Sequence, residues 1–269
     1  MADLRQSIQY GRYLQVLGWQ AIKIDHCQVF IKKIPLLPFS IIKIQRPELP
    51  LPLAKIDRLA KKRRVFLIKL EPLTIRHHLF ARFGYRRDSW PLLPTKTVQI
   101  DLTKSEKQLW QAINKKTRNC IKKAQFNNLT RDYFYQNFKK FGKGDVPQEK
   151  AFQALMAAFG QNAWLLTFHP PASSAGFAGA LILIHDQTAY YYYAFTSPAG
   201  RRVFSQHLLV WLAIRQAKKA GCRIFDFEGI ADRRYRFTRQ WQGFSHFKKS
   251  FGGQEITYPG SFSRWRLPI

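Results

Sequence analysis

Acidic residues and cysteine are scarce in this chain. Of its 269 residues 16 are Asp or Glu against 45 Lys or Arg, leaving a formal charge of +29. A folded chain with so little negative charge repels itself, and such a surplus usually meets phosphates on nucleic acid, an anionic lipid or a nucleotide-linked substrate. The three cysteines (Cys27, Cys120, Cys222) form no Cys-x-x-Cys pair and no disulfide framework, which fits a reducing cytoplasm. The seven histidines do not cluster, and adjacent His77 and His78 cannot chelate from one helix face, so no metal site is expected. Long apolar runs are also missing. The N-terminus has no apolar signal core. The richest early run, 29–44, contains Lys32, Lys33, Pro35, Pro38 and Lys43, which bars it from spanning a bilayer though not from touching one.

What is present is a packed globular composition, 46% hydrophobic and 15% aromatic. The length suits one large or two modest domains. Residues 8–17 read as a short helix stopped by Gly18. Strands are expected at 19–24, 29–34, 39–44, 65–70 and 98–102, with a basic helix at 53–63. Thr103 with Glu106 predicts a capping box opening one helix to Ala124. Its apolar face carries Leu109, Ile113, Cys120 and Ile121, and its basic face carries Lys115, Lys116, Arg118, Lys122 and Lys123. Such a face is either solvated or in contact with phosphate.

The second half reads as a meander of three strands at 163–168, 177–184 and 188–195. A basic turn at 197–202 follows, then a helix capped by Ser205 and closed by Gly221, then a strand at 224–227. Acyltransferases of the N-acetyltransferase type have this order, and they hold a pyrophosphate at the loop before the helix. Here that loop has Gly200 alone and two arginines, Arg201 and Arg202, so the Gly-x-Gly repeat of a coenzyme A cradle is missing. A similarity between 59–71 and 216–228, each a helix end, a basic turn and a strand ending in Glu, is consistent with duplication. The stretch 241–253 is unusual. Lys248 and Lys249 lie between Phe247 and Phe251, ahead of Gly252-Gly253, and read as a strand. Tyr190 to Tyr193 would alternate across their strand, placing Tyr191 and Tyr193 on one face.

In order and spacing these segments resemble the Fem-type peptidoglycan-bridge aminoacyl transferases over nearly the whole chain. The early part is Tyr10-Gly-Arg-Tyr-Leu-Gln-Val-Leu-Gly-Trp19 with Lys23 and then 31–40. The middle part is 100–106 with Lys116-Thr-Arg-Asn-Cys-Ile-Lys-Lys-Ala124. The late part is Ala189-Tyr-Tyr-Tyr-Tyr193, 221–230 and Phe247-Lys-Lys-Ser-Phe-Gly-Gly253. The resemblance implies an α/β fold of two tandem N-acetyltransferase-like domains, each a mixed, mainly antiparallel sheet flanked by helices. The expected division is 1–125 and 126–269, with the C-terminal strand returning to the first domain.

It also implies transfer of an amino acid from aminoacyl-tRNA to the stem peptide of a muramyl-peptide precursor, lipid- or UDP-linked. The enzyme would be a cytoplasmic monomer without cofactor, touching the inner membrane face peripherally. By position, Lys248 looks like the family lysine at the tRNA 3′ end and Phe247 like its aromatic neighbour. Tyr191 and Tyr193 look like cavity tyrosines, and Lys23 like the residue meeting precursor phosphates. Lys116, Arg118, Arg201 and Arg202 are candidate tRNA contacts. Lys143, Pro147 and His207 stand where the family has Arg, Tyr and Tyr, and Asp226-Phe-Glu228-Gly stands for Asp-Phe-Gly-Gly. These departures bear on the precursor more than on the reaction.

An aminoacyl ester is already activated, so forming the amide needs placement of the amine and stabilisation of charge on the departing ribose oxygen. A lysine ammonium suits the second task. The rivals are an acyl-CoA-dependent N-acyltransferase and a non-enzymatic tRNA- or RNA-binding protein.

Overall fold

The computed structural model describes residues 2–74, 77–124, 128–130, 133–142, 146–169 and 178–266. Lys143, the turn at 170–176 and Phe177 therefore lie outside the described residues, as does the 125–126 division point. In chain order the elements are α1 (Ile8–Val16), β1 (Gln20–Ile24), β2 (Cys27–Lys33), β3 (Ser40–Gln45), α2 (Leu53–Lys62), β4 (Val65–Glu71), α3 (His77–Arg82) and β5 (Arg86–Arg87). Then come β6 (Lys96–Asp101), α4 (Glu106–Ala112), α5 (Lys115–Lys123), β7 (Asn128–Thr130), α6 (Phe134–Phe141), α7 (Glu149–Phe159), β8 (Ala163–His169), β9 (Ala178–His185) and β10 (Thr188–Thr196). The last are α8 (Pro198–Arg202), α9 (Ser205–Lys219), β11 (Ile224–Asp226), α10 (Gln242–Lys249), β12 (Gln254–Thr257) and β13 (Phe262–Trp265).

The chain forms two compact α/β units. An N-terminal unit holds residues 2–96, 232–237 and 257–269, and a C-terminal unit holds 97–231 and 238–256. The C-terminal unit begins at Thr97, with α5 packed on α9 and β6 paired with β11. The N-terminal unit carries a six-stranded sheet in the order β1-β2-β3-β4-β13-β5, so the C-terminal strand β13 pairs there with β4 and β5. Its core is built from Val29, Ile31, Ile42, Ile44, Ile56, Ile68, Leu70 and Phe80.

The C-terminal unit carries a seven-stranded sheet, β12-β6-β11-β10-β9-β8-β7. Its meander β8-β9-β10 is antiparallel, and β11 then joins β10 in parallel after α9. The run Ala178-Gly-Ala-Leu-Ile-Leu of β9 is buried throughout, as expected of a central strand covered on both faces. Gly179 is needed because a Cβ there would fall 2.2 Å from the Phe195 ring.

Four local expectations are corrected. The helix expected from Thr103 to Ala124 is two helices, broken at Ile113-Asn114, where the Asn114 side chain accepts from Lys116 N at 2.9 Å and caps α5. The capping box belongs to Ser105 and Gln108, with Gln108 N donating to Ser105 Oγ at 3.2 Å, while Thr103 turns back onto Asp101. The basic turn at 197–202 is helical, since Ser197 caps α8 with Pro198 at its first position. Ser205 is not the cap of α9. Phe204 takes that place at φ 54, and Ser205 Oγ donates to Gly200 O.

Candidate functional site

The stretch 241–253 is helical at its centre rather than a strand, because Phe244, Phe247, Lys248 and Phe251 recur at i, i+3, i+4 and i+7. Lys248 thus shares one stripe with three phenylalanines, and the helix turns that stripe towards the core. It sits in the last turn of α10, where cations favour the helix dipole. Ser250 Oγ satisfies Phe247 O at 2.7 Å, and the chain then leaves through Gly252 and Gly253 at φ 84 and 91. At Gly253 a Cβ would lie 2.5 Å from Gln99 O, so the turn requires glycine on steric grounds as well.

The Lys248 ammonium donates to Phe227 O at 2.7 Å and to Gly229 O at 2.6 Å. Its third N–H has no protein acceptor among the described residues. It lies 5.9 Å from the centre of the Tyr191 ring and 5.0 Å from that of Phe244. Burial lowers its pKa to about 8, against the opposing pull of Glu228 and Asp226. The lysine therefore remains mostly charged at neutral pH while holding its proton less firmly than usual.

The two carbonyls that hold Lys248 flank Glu228, a left-handed residue at φ 56. This turn is braced by Asp226, which is buried and accepts from Glu228 N (2.7 Å), Thr97 Oγ1 (2.6 Å) and Gln99 Nε2 (2.7 Å). Burial, with the neighbouring Glu228 charge, raises the Asp226 pKa to about 6 in spite of these donors. Its brace role is not evident from residue type. The available signal was a carboxylate set between Phe225 and Phe227 in an otherwise apolar strand. Gln206 on α9 was a second residue without a sequence signal. Its Nε2 donates to the buried Tyr191 hydroxyl and its Oε1 accepts from Thr196 Oγ1 at 3.0 Å. Burial also raises the Tyr191 pKa, so the phenol stays neutral.

Tyr191 and Tyr193 do not share a face. The register of β10 on β9 shifts between them, Tyr191 pairing with Ile182 and Tyr193 with Leu181. The β-bulge at Tyr192 consumes one residue and reverses the alternation beyond it. Tyr191 therefore joins the core against α9, whereas Tyr193 stacks 5.0 Å from Phe138 of α6.

The other candidates are dispersed. Phe247 is half-buried and meets His207 and Phe251 at 5.0 and 5.2 Å. Burial lowers the pKa of His207, whose ring packs among Phe204, Phe247 and Phe251. Lys23 is exposed on edge strand β1 of the N-terminal unit. Lys116 is exposed on α5, while Arg118 donates to Gln111 O at 2.9 Å and so tethers the end of α4. Arg201 and Arg202 are exposed on α8.

Known proteins match this architecture. Residues 171–267 match the FemAB family model. The crystal structure of FemX superposes with a TM-score of 0.79 at 16% identity, covering 99% of this chain and 92% of that one. The C-terminal domain of a putative lysylphosphatidylglycerol synthetase from Agrobacterium fabrum gives 0.58 at 11% identity, covering 97% and 88%. A tandem GNAT protein from the clavulanic acid biosynthesis pathway gives 0.56 at 10%, covering 90% and 80%. No curated protein sequence matches the chain significantly. The fold is thus a tandem GNAT-like one.

Proposed function

We propose that this chain is a Fem-type protein that moves an amino acid from aminoacyl-tRNA to the stem peptide of a muramyl-peptide precursor, a reading supported by the FemAB match over 171–267 and the fold shared with FemX. The family match and the fold support peptidoglycan cross-bridge aminoacyl transfer in general terms. The observation that carries the finer reading is Lys248, an ammonium fixed by two backbone carbonyls with one N–H uncommitted.

In the proposed reaction the stem-peptide amine attacks the ester carbonyl, the C–N bond forms, and the bond to the ribose oxygen breaks. Negative charge grows on that oxygen, and the free N–H of Lys248 is the donor that stabilises it. A pKa near 8 lets the same group give the oxygen its proton, while the proton shed by the attacking amine passes to water and water reprotonates the lysine. Asp226 fixes the turn that aims Lys248. Phe247 and Tyr191 bound the site, Lys23 meets precursor phosphates, and Tyr193 contacts the precursor. The +29 surplus, including Lys116, Arg118, Arg201 and Arg202, holds the tRNA. In this reading the protein is a cytoplasmic monomer needing no cofactor and working near the inner membrane face.

The test is incubation with a pool of labelled aminoacyl-tRNAs and a muramyl-pentapeptide, UDP-linked or lipid-linked in parallel. A mass gain on the stem peptide is expected. Retention of charged and uncharged tRNA alike, with no gain on either acceptor, would identify a binder instead. Protection against thermal unfolding by coenzyme A would favour the acyl-CoA rival.

A further inference from the structure

The turn joining β2 to β3 in the N-terminal unit, Pro35-Leu-Leu-Pro-Phe39, turns its apolar side chains outward. Leu36 is 104% exposed and Leu37 54% exposed. Leu36 also stands at φ 65, a left-handed conformation that leucine seldom adopts. The turn is closed by Ile34 N on Phe39 O at 2.9 Å and Leu37 N on Ile34 O at 3.3 Å. A strained, tied turn that holds leucine in water does nothing for the core.

From this turn an aromatic row runs across the sheet. The Phe39 and Phe66 rings are 6.5 Å apart, those of Phe66 and Trp265 are 5.7 Å apart, and Trp265 is 64% exposed. Beside the turn lies a groove of about 590 Å³ whose lining includes Lys32, Lys33, Lys62, Arg63 and Arg64 and no carboxylate. Lys32 is engaged with Leu17 O and the Trp19 ring. The side chains of Lys33, Lys62, Arg63 and Arg64 make no ion pair or hydrogen bond among the described residues.

We propose that this face docks on an anionic phospholipid bilayer. Leu36 and Leu37 enter the acyl boundary, Trp265 lies at headgroup level where indole is favoured, and the cations of the groove meet lipid phosphates. Each cation near an anionic leaflet strengthens binding roughly fivefold. RNA would use the same cations but has no use for two projecting leucines, since bases stack on aromatic rings. The docking deepens the reading of a protein working near the inner membrane face by naming the surface that makes the contact, and its test needs neither tRNA nor acceptor, so it can fail while transfer stands.

The experiment is co-sedimentation of the full chain with vesicles of phosphatidylcholine alone and of phosphatidylcholine mixed with phosphatidylglycerol. Binding is expected to the mixed vesicles and to weaken with salt. Surplus charge alone would do the same, so the leucines decide. Leu36→Asn with Leu37→Ser preserves net charge, and asparagine accepts the left-handed conformation. This variant should unfold at an unchanged temperature yet bind the mixed vesicles roughly tenfold more weakly or worse. Lys122→Gln with Lys123→Gln on α5 should retain most of the affinity. A polarity-sensitive dye on Leu36→Cys, with Cys120→Ser to prevent a second label, should shift blue on the mixed vesicles. Parental affinity in the leucine variant, or an unshifted dye, overturns the proposal. So does a leucine variant that loses binding to uncharged tRNA while keeping its vesicle binding, which would make the face an RNA surface.

Discussion

Each unit draws a lysine out of water, Lys69 fully and Lys248 in part, and the two are held in different ways. In the N-terminal unit Lys69 of β4 forms an ion pair with Asp88 at 2.6 Å, donates to Trp90 O at 3.0 Å and lies 3.6 Å from the Trp90 ring centre. Its charge is cancelled where it stands. In the C-terminal unit Lys248 meets two carbonyls and, among the described residues, no carboxylate, with Asp226 and Glu228 acting on it only as nearby charges. Burial lowers both pKa values. A paired lysine has no charge left to offer a substrate, whereas one held by neutral dipoles is fixed in place and still carries its field. That contrast, rather than burial itself, separates a structural lysine from a candidate catalytic one.

The comparison breaks most directly at Lys69. Lys69→Met leaves the Asp88 carboxylate without its cation, and denaturant unfolding should show a loss of about 3–5 kcal/mol. Transfer per folded molecule should survive. Lys248→Met should do the reverse, lowering single-turnover transfer about 10²–10³-fold while the fold persists. If Lys248→Met transferred at the parental rate, the two lysines would be equivalent and the site would lie elsewhere.

The pH dependence sharpens the contrast. With its pKa at about 8, Lys248 loses its proton above that value, and transfer should fall about tenfold per pH unit beyond it. Stability moves the other way. The unfolded lysine titrates near its ordinary 10.5, so between about 8 and 10.5 the unfolded chain binds more protons than the native one. This group's contribution to stability therefore rises with pH across that window. Activity lost above pH 8 while the Lys248 contribution to stability rises is not unfolding driven by this group. In Lys248→Arg the alkaline limb should vanish, whatever the remaining rate, because guanidinium stays charged.

Much of this was legible in the sequence, and the failures share a cause. The meander β8-β9-β10 and the long helix α9 were readable because short apolar runs between turn residues and a closing Gly221 are local signals. In the stretch 241–253 the adjacent lysines between phenylalanines suggest a strand, whereas the i, i+3, i+7 spacing of Phe244, Phe247 and Phe251 is the helical signal that the fold obeys. Asp226 acts through Thr97 and Gln99, 129 and 127 residues away, and Gln206 through Thr196 and Tyr191, 10 and 15 residues away on another element. No single-sequence pattern announces such pairings. The bulge at Tyr192 is set by the match of β10 to β9, and four consecutive tyrosines give no hint of where alternation reverses.

The smallest effect concerns Tyr191, which the bulge leaves on the same side of the sheet as Gln206. Its hydroxyl accepts from Gln206 Nε2 while its ring faces the Lys248 ammonium. Tyr191→Phe keeps the ring and removes the acceptor. The Gln206 donor is then buried without a partner, at a cost of about 1–3 kcal/mol in denaturant unfolding. Adding Gln206→Leu should recover part of this loss, since removing both partners is far less costly than orphaning one. The alkaline limb should stay near pH 8 in Tyr191→Phe, because the ring and the two carbonyls, not the hydroxyl, surround the ammonium. If the limb moved with the hydroxyl, the phenol would be coupled to Lys248, and the lysine would not be held by neutral carbonyls alone.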